Sequence, residues 1–513
     1  MKIKNVEYRR QKTCLSIFAD TYKDFAENTS IHGLKYTVKQ DIGLYEKLFW
    51  ILVVLSGLCG AGYMTVLFWE RYTSNPTRTT ILTAFAPTTA IAFPAVTLCN
   101  INRIIASKVD KFIEELQLSG VDASLAKRAL PQLLAFTNPS SVPYNSSDLE
   151  MLELILSKYN IRDPLIVMSK ISQSCKEMLK KCVWNSKEEE CVKLFKESLT
   201  MEGICCSFNY QSDGKTMYTS GNGMMSGLLV VADTMIQVKQ YSTLYALGFK
   251  VLIHTPQDFP GSDSIYKLIA NNRNSYMQVM GKSMRCSSEV KDLPIEQREC
   301  VYPYEVEPLY FHDEYADTNC YVECEANHYF DVCECVPFYY AFSDKPSCNI
   351  TSIPCLDHAK KLISVNEQLN CYCPVQCEDF NYEILMTSTR IDKLNTLHSP
   401  ILREEDIPKD VVLLNIYFLS DTQTIMMRDT VTSTIYLLSS FGGVYSLFMG
   451  CSIMTIAEII YFFVIRLVIN LKFFGRVDNP VTYNDALKCP KLKDNNTTDN
   501  YYYFRNEPTY FLH

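Results

Sequence analysis

Gly450, Cys451 and Ser452 stand together inside a long apolar run, Thr430 to Ile465, and Glu458, six residues after Ser452, is the only charge in it. Small side chains let neighbouring helices approach closely, and a break in the helix frees backbone carbonyls to replace part of a cation's water shell. An ionised carboxylate at the centre of a bilayer helix costs about 2.5–3.5 kcal/mol on insertion scales, so such a residue normally faces a bundle interior or a water-filled path. Together the two features raise the question of what passes through this stretch. The blander reading of the small residues, a packing seam between helices, stays open on residue types alone.

Two elements must position these groups. Leu48 to Trp69 carries no charge and is framed by Glu46-Lys47 and Glu70-Arg71, which suits a membrane span of about 20 residues. It is preceded by a polar segment with Lys2, Lys4, Arg9, Arg10 and Lys12, unlike the short early apolar core of a cleaved signal peptide. The second run, between Arg428-Asp429 and Arg466, is longer than one straight span requires. A tilted or interrupted helix is therefore expected, broken near Gly442-Gly443 or at Gly450-Cys451-Ser452.

Two spans leave both termini on one side of the membrane, and cysteine usage decides which. Of 21 cysteines, Cys14, Cys59, Cys451 and Cys489 lie in the tails or spans, and all the others fall between Cys99 and Cys377. A reducing cytosol does not sustain that bias, so the large middle region is expected to be extracellular and disulfide-bonded. The layout is then a cytoplasmic segment (1–47), a first transmembrane helix (48–69), an extracellular cysteine-rich domain (70–428), a second transmembrane helix (429–470) and a cytoplasmic tail (471–513). The basic N-terminus agrees with the cytoplasmic side. Sequons at Asn145 and Asn349 fall in the expected ectodomain and are read as glycosylated, while those at Asn495 and Asn496 lie in the tail and go unused.

Within the ectodomain, "RIIASKVDKFIEELQL" and "DLEMLELILSKY" have helical periodicity on either side of the polar "TNPSSVPYNSSD" loop, and residues 103–200 read as mainly helical. "LGFKVLIHTP" (247–256) and "DVVLLNIYFLS" (410–420) are rich in Val, Ile and aromatics and read as strands. The expected fold class is a membrane protein with two transmembrane helices and a large disulfide-rich α+β extracellular domain, whose sheet leads directly into the second span. Ten cysteines between Cys300 and Cys377 allow about 945 pairings, so spacing does not fix the bridges. Zinc is disfavoured, because Cys333-x-Cys335 and Cys371-x-Cys373 lack the two-residue gaps of common knuckles and the compartment is oxidising. Disulfides there, contributing about 2–4 kcal/mol each, would make a stiff element able to carry movement toward the membrane. Odd parity leaves at least one ectodomain cysteine unpaired, with Cys286 the candidate.

Several function classes drop out. With 47% hydrophobic and 21% charged residues the chain is neither disordered nor fibrous, and a net charge of −8 without a basic aromatic-interleaved stripe gives no case for nucleic acid. Only seven histidines are present, and none of the metalloprotease, serine-hydrolase, phosphate-loop or dinucleotide patterns occurs; no catalytic residue, metal site or cofactor is expected. His254, on an expected strand, reads as a hydrogen-bonded structural histidine. Spaced gating arginines of a voltage sensor are missing too.

The residues that remain distinctive come in an order that resembles a known family. "ENTSIHGLKY" precedes the first span and "FPAVTLCN" follows it; then come "GFKVLIHTPQDFPG", "QREC", "NCYVEC", "CECVPF" and, in the second span, Gly450-Cys451-Ser452. From about residue 25 to 470 the chain resembles the degenerin, epithelial sodium channel and acid-sensing channel superfamily, most like its pickpocket-type members. The resemblance implies a trimeric channel in the plasma membrane, homomeric or built with related subunits, in which six spans surround a sodium-selective pore sensitive to amiloride-like cations. It places the selectivity filter at Gly450, Cys451 and Ser452, a ring of pore acids at Glu458, a re-entrant lower-pore motif at His32-Gly33, and the small-residue gating position at Ser439. It also implies bridges Cys300–Cys377, Cys320–Cys373, Cys324–Cys371, Cys333–Cys355, Cys335–Cys348, Cys99–Cys205 and Cys182–Cys191, leaving Cys175 and Cys206 as an extra pair. Some features of proton-gated members are missing: Tyr461 and Ser440 stand where they carry acids, and "RYTSNPTRTTILTAFAP" has no counterpart of their histidine after the first span.

The function implied is a voltage-independent sodium channel subunit with both termini cytoplasmic, permeated by sodium ions and opened through its ectodomain by an extracellular ligand or mechanical force. The alternative is a receptor or adhesion subunit that conducts only in a heteromer. An intramembrane Glu and a glycine-interrupted helix favour the channel, since an anchored receptor in the lipid bilayer needs neither.

Overall fold

The computed structural model describes residues 14–474 apart from 75, 119, 211–214, 236–239, 243, 245, 262–263, 308, 310–314, 342, 366–370, 392–409 and 432. The basic residues before Cys14, and Cys489, Asn495 and Asn496, lie outside the described residues. The longer helices are α1 (Cys14–Asn28), α2 (Leu34–Val38), α3 (Leu44–Ser74), α4 (Ala106–Glu115), α5 (Gly120–Ala129), α6 (Ser146–Lys158), α7 (Pro164–Ile171), α8 (Asp317–Cys333), α9 (Ile353–Val365), α10 (Thr434–Met449), α11 (Ile453–Ile460) and α12 (Leu467–Phe474). Strands are β1 (Thr77–Pro87), β2 (Ala95–Asn100), β3 (Asn102–Ile105), β4 (Leu179–Trp184), β5 (Lys187–Glu189), β6 (Phe195–Thr200), β7 (Gly203–Phe208), β8 (Leu228–Asp233), β9 (Gln240–Ser242), β10 (Gly248–His254), β11 (Ile265–Ala270), β12 (Arg273–Cys286), β13 (Asp379–Arg390), β14 (Val411–Phe418) and β15 (Thr422–Thr430). Two compact units result: a helical one from 1–74 and 432–513, and an α+β one from 75–431.

In the helical unit, α3 runs past both ends of the expected 48–69 span, because helical hydrogen bonding continues through the polar Glu46-Lys47 and Glu70-Arg71 flanks. Helix α3 and the stretch Ile453–Asn470 are each long and apolar enough to cross a membrane. The second apolar run begins its helix at Thr434, not 429, since Thr422–Thr430 is strand, and it breaks at 450–452 while Gly442 and Gly443 stay inside α10. Residues Tyr461–Arg466 form a π-helical turn.

The α+β unit is organised by two sheets. The larger has the order β1-β15-β12-β14-β8-β4-β5, with β13 also on β12; the smaller has the order β11-β10-β2-β7-β6. Strand β12 pairs parallel with β14 over its first half and with β15 over its second. The switch falls at Gly281, where a Cβ would lie 2.8 Å from the Ile91 side chain and 3.0 Å from that of Phe380, so the layers approach closely over the glycine. Phe93 stands between the sheets with its ring centroid 4.8 Å from that of Trp184, 5.9 Å from Phe208 and 5.5 Å from Phe418, all in edge-on geometry that suits aromatic quadrupoles. Residues 103–200 are less helical than their periodicity implies. Ile104 and Ile105 pair with β9, and β4, β5 and β6 join the sheets, where Val183 and Trp184 fit a pleated, half-buried surface better than a helix.

Helices α4 to α7 and the cysteine-rich arm α8–α9 share a second core around Leu133, Phe136, Phe338 and Tyr340. Disulfides Cys320–Cys373, Cys324–Cys371, Cys333–Cys355 and Cys335–Cys348 staple the arm, and Cys300–Cys377 closes its base. Cys99–Cys205, Cys175–Cys206 and Cys182–Cys191 staple the sheets. Asp357 on α9 accepts bonds from Ser140 (3.0 Å), Tyr144 (3.1 Å) and Lys361 (2.7 Å), tying the arm to the loop before α6. Asn145 caps α6 and Asn349 precedes a short 3₁₀ turn; both are exposed.

His254 is buried at the end of β10. Its Nδ1–H donates to the Thr255 carbonyl at 2.8 Å and its Nε2 accepts from Thr97 at 3.0 Å, so it serves structure. Burial holds its imidazole down at about 4, and burial also pushes the nearby Asp258 carboxyl up to about 6. The two groups oppose each other in their pH dependence. As pH falls from 6.5 toward 4 the unfolded chain protonates the histidine before the fold does, which costs stability; over 3.8 to 6 the fold keeps the Asp258 proton that the unfolded chain has lost, so acidification adds stability. Each effect is on the order of 3 kcal/mol. Asp258→Asn should therefore make the protein lose stability on going from about pH 6.5 to 4.5 while the parent chain changes little. Thermal melting at the two pH values checks this, and parallel curves for the two chains would refute it.

Candidate functional site

The interruption in the second apolar run is built by its sequence. Helix α10 ends on Gly450, whose φ of 71° is left-handed and suits glycine, and Gly450 N–H donates to Ser446 O at 2.8 Å while Cys451 N–H reaches Tyr445 O at 3.3 Å. Ser452 then caps α11: its N–H donates to Thr455 Oγ1 at 3.0 Å and its carbonyl accepts from Thr455 N–H at 3.0 Å. The break thus lies between the carbonyl end of one helix, carrying roughly half a negative charge, and the amide end of the next. A discontinuous helix of this kind presents backbone dipoles to an ion.

The segment between α1 and α2 folds back onto the break. His32 N–H donates to Met449 O at 2.9 Å, and a Cβ on Gly450 would run into the His32 imidazole. Gly33 has a φ of 82°, and a Cβ there would sit 3.3 Å from both Trp50 and Val54 of α3. Glu458 Oε2 accepts three bonds from the same segment: Thr29 Oγ1 at 3.0 Å, Ser30 N–H at 3.0 Å and Ser30 Oγ at 3.2 Å. Ser30 Oγ also lies 2.7 Å from Thr455 Oγ1. Further along, Asp24 pairs with Arg466 at 2.6 Å, and Phe25 packs with Phe462 and Phe463 at centroid distances of 5.7 and 5.1 Å.

The structure therefore brings His32, Gly33, Gly450 and Glu458 into one connected site. Ser439 is not part of it, standing exposed on α10 eleven residues before Gly450, and Tyr461 is exposed in the π-helical turn. Thr29, Ser30, Thr455, Asp24 and Arg466 also belong to the site, although their residue types alone do not mark them. The Ser452-x-x-Thr455 spacing and the paired hydroxyls beside His32 are the signals that point to the first three.

Helix α3 seats the end of α10. Cβ atoms at Gly57 and Gly60 would come 3.0 Å from the Phe448 carbonyl oxygen and 2.8 Å from its ring, so both glycines are needed for this approach, and Thr65 Oγ1 lies 3.4 Å from the Tyr445 hydroxyl. Gly62, by contrast, has nothing within 4 Å of its Cβ direction. Gly60→Leu should lower the thermal stability of the detergent-solubilised protein by about 1–3 kcal/mol through overpacking, and Gly62→Leu should not. Adding Phe448→Ala should restore part of the Gly60→Leu loss; a Gly60→Leu chain that melts with the parent would contradict the seat.

Comparison with known proteins bears on this architecture. The family model described as amiloride-sensitive sodium channel matches residues 25–462. Sodium channel protein Nach of Drosophila melanogaster is 29% identical over 479 residues, covering 88% of each chain. Pickpocket protein 28 of the same fly is 23% identical over 86% of this chain and 78% of its own. Acid-sensing ion channel 1 of Gallus gallus is 24% identical over 85% and 82%. The first and third of these relatives are named as ion channels. With the match running from the fold-back segment through the interrupted helix, the chain belongs to the amiloride-sensitive sodium channel family.

Proposed function

We propose that the chain is one subunit of a trimeric, voltage-independent sodium channel of the plasma membrane, with both termini cytoplasmic and the disulfide-rich unit extracellular. The observation that carries this reading is the interrupted second span, whose Gly450 break is held by His32 and whose Glu458 is held by Thr29 and Ser30. In the trimer, three copies of Gly450-Cys451-Ser452 supply the narrow filter, and three Glu458 carboxylates attract cations below it. Sodium passes with part of its hydration replaced, and amiloride-like cations block the pore. Ligand or mechanical force on the ectodomain opens the pore through β1 and β15, which pair along 77–87 and 422–430 and adjoin the two spans in sequence.

Whole-cell current in cells expressing this chain alone, with Ser439 replaced by a bulky residue to hold the pore open, tests the reading. A sodium current that amiloride blocks and that vanishes when a large organic cation replaces sodium is the expected result. In that background Glu458→Gln should cut single-channel conductance severalfold at unchanged surface expression. Unchanged conductance would remove Glu458 from the pore, and surface expression without current would assign the chain to an obligate heteromer.

A further inference from the structure

Cys286, the last residue of β12, is a free thiol in a unit otherwise full of disulfides. Its sulfur lies in one cluster with those of Cys300 and Cys377, all three within 4.8 Å of one another, and Cys300 and Cys377 are bonded to each other. The Cys286 thiol donates to the Cys377 carbonyl at 3.1 Å. This bridge closes the base of the arm, where Val301 N–H donates to Val375 O and Cys377 N–H to Val301 O, each at 2.9 Å. Cys286 itself belongs to the sheet, in register with Arg428 of β15, the strand whose chain continues into α10.

We propose that Cys286 and the Cys300–Cys377 bridge form a thiol–disulfide interchange centre that moves the covalent tie from the arm's own base onto β12. The Cys286 thiol loses its proton to solvent, and the thiolate attacks one sulfur of the bridge. A bond from Cys286 forms as the Cys300–Cys377 bond breaks, and the displaced sulfur leaves as a thiolate that takes up a proton. Nothing is oxidised or reduced overall, so the exchange needs no external partner. Its product anchors one end of the arm to the strand beside β15 and leaves the other end without its disulfide, held at the base by the Val301 hydrogen bonds and by the run of the chain itself.

The groups facing Cys286 set the conditions for exchange. Burial pushes the thiol up from its ordinary value, while the Tyr302 hydroxyl, Arg428 and Arg298 pull it down and Glu378 opposes them. Arg298 is itself locked: it donates to the carbonyls of Cys300 (2.9 Å), Lys291 (3.0 Å) and Leu293 (3.2 Å) and pairs with Glu305. The protonated thiol is therefore the resting form, and exchange should quicken about tenfold per pH unit up to the thiol's own titration.

Trapping the free thiol in the full-length protein tests this. Protein incubated at pH 7 or pH 9 is quenched in acid, labelled under denaturing conditions with excess maleimide, digested without reduction and mapped by mass spectrometry. The label should start on Cys286 and move to Cys300 or Cys377 with incubation time, far faster at pH 9 than at pH 7, at a constant one label per three sulfurs. Cys286→Ser should carry no label on Cys300 or Cys377 at either pH. Label confined to Cys286 at both pH values overturns the proposal, as does label on Cys300 and Cys377 in the Cys286→Ser chain, which would mean an open bridge without exchange.

Discussion

A backbone interrupted at membrane depth must satisfy its own polar groups, because lipid offers no partners and each unpaired amide or carbonyl costs several kcal/mol. The break at Gly450 meets this constraint in three ways. Left-handed Gly450 lets its own amide and that of Cys451 turn back onto α10, Ser452 exchanges bonds with Thr455, and the Met449 carbonyl takes a donor from His32. The fold-back segment is thus a structural requirement of the interruption. Gly33 follows from the same demand, since the chain must turn sharply where Trp50 and Val54 leave no room for a side chain.

The disulfide-rich unit is built as a stiff frame of cross-linked strands and helices. Strand β12 is the common member: it pairs with β13 along its length, with β14 at one end and with β15 at the other. Gly281 sits where the partners change, so two sheet segments share one continuous strand. The arm joins beside the C-terminal end of that strand, at Cys300 and Cys377, and its four further bridges stiffen α8 and α9 against bending. The arm is thus tied to β12, and through it to β15, by the Cys300–Cys377 base and by the pairing of β13 that follows Cys377.

Much of this organisation is legible in the residues, and the illegible parts have physical causes. The two apolar runs, strands β10 and β14 and helix α6 follow from local periodicity and β-branched content. Residues 179–200 mislead, because the signal for β4 and β6 lies in their partners β8 and β7, far away in sequence. The bridges cannot be read from spacing, since a disulfide requires Cα atoms to lie close together, 4.6 Å for Cys99 and Cys205, and that proximity is a property of the tertiary path. At the site, Glu458 and the Gly450 triplet stand out because they violate the composition around them. Thr29 and Ser30 do not, because a hydroxyl in a polar segment is unremarked until the chain folds back on a carboxylate.

The three bonds to Glu458 also bear on how it would act as the proposed pore acid. All converge on Oε2, from two residues of one segment, so the carboxylate is fixed by the fold-back chain as well as by its own helix. A ligand group held by a second layer of hydrogen bonds keeps its geometry when an ion arrives, and the ion then meets a preorganised oxygen in place of a mobile side chain. The cost is dependence on the N-terminal segment: any event that draws α1 away, for instance loss of the Asp24–Arg466 ion pair, removes donors from Glu458 together with the donor on Met449. In the proposed channel the filter and the acidic ring are therefore two faces of one contact, and the N-terminal segment is part of the conduction pathway's framework.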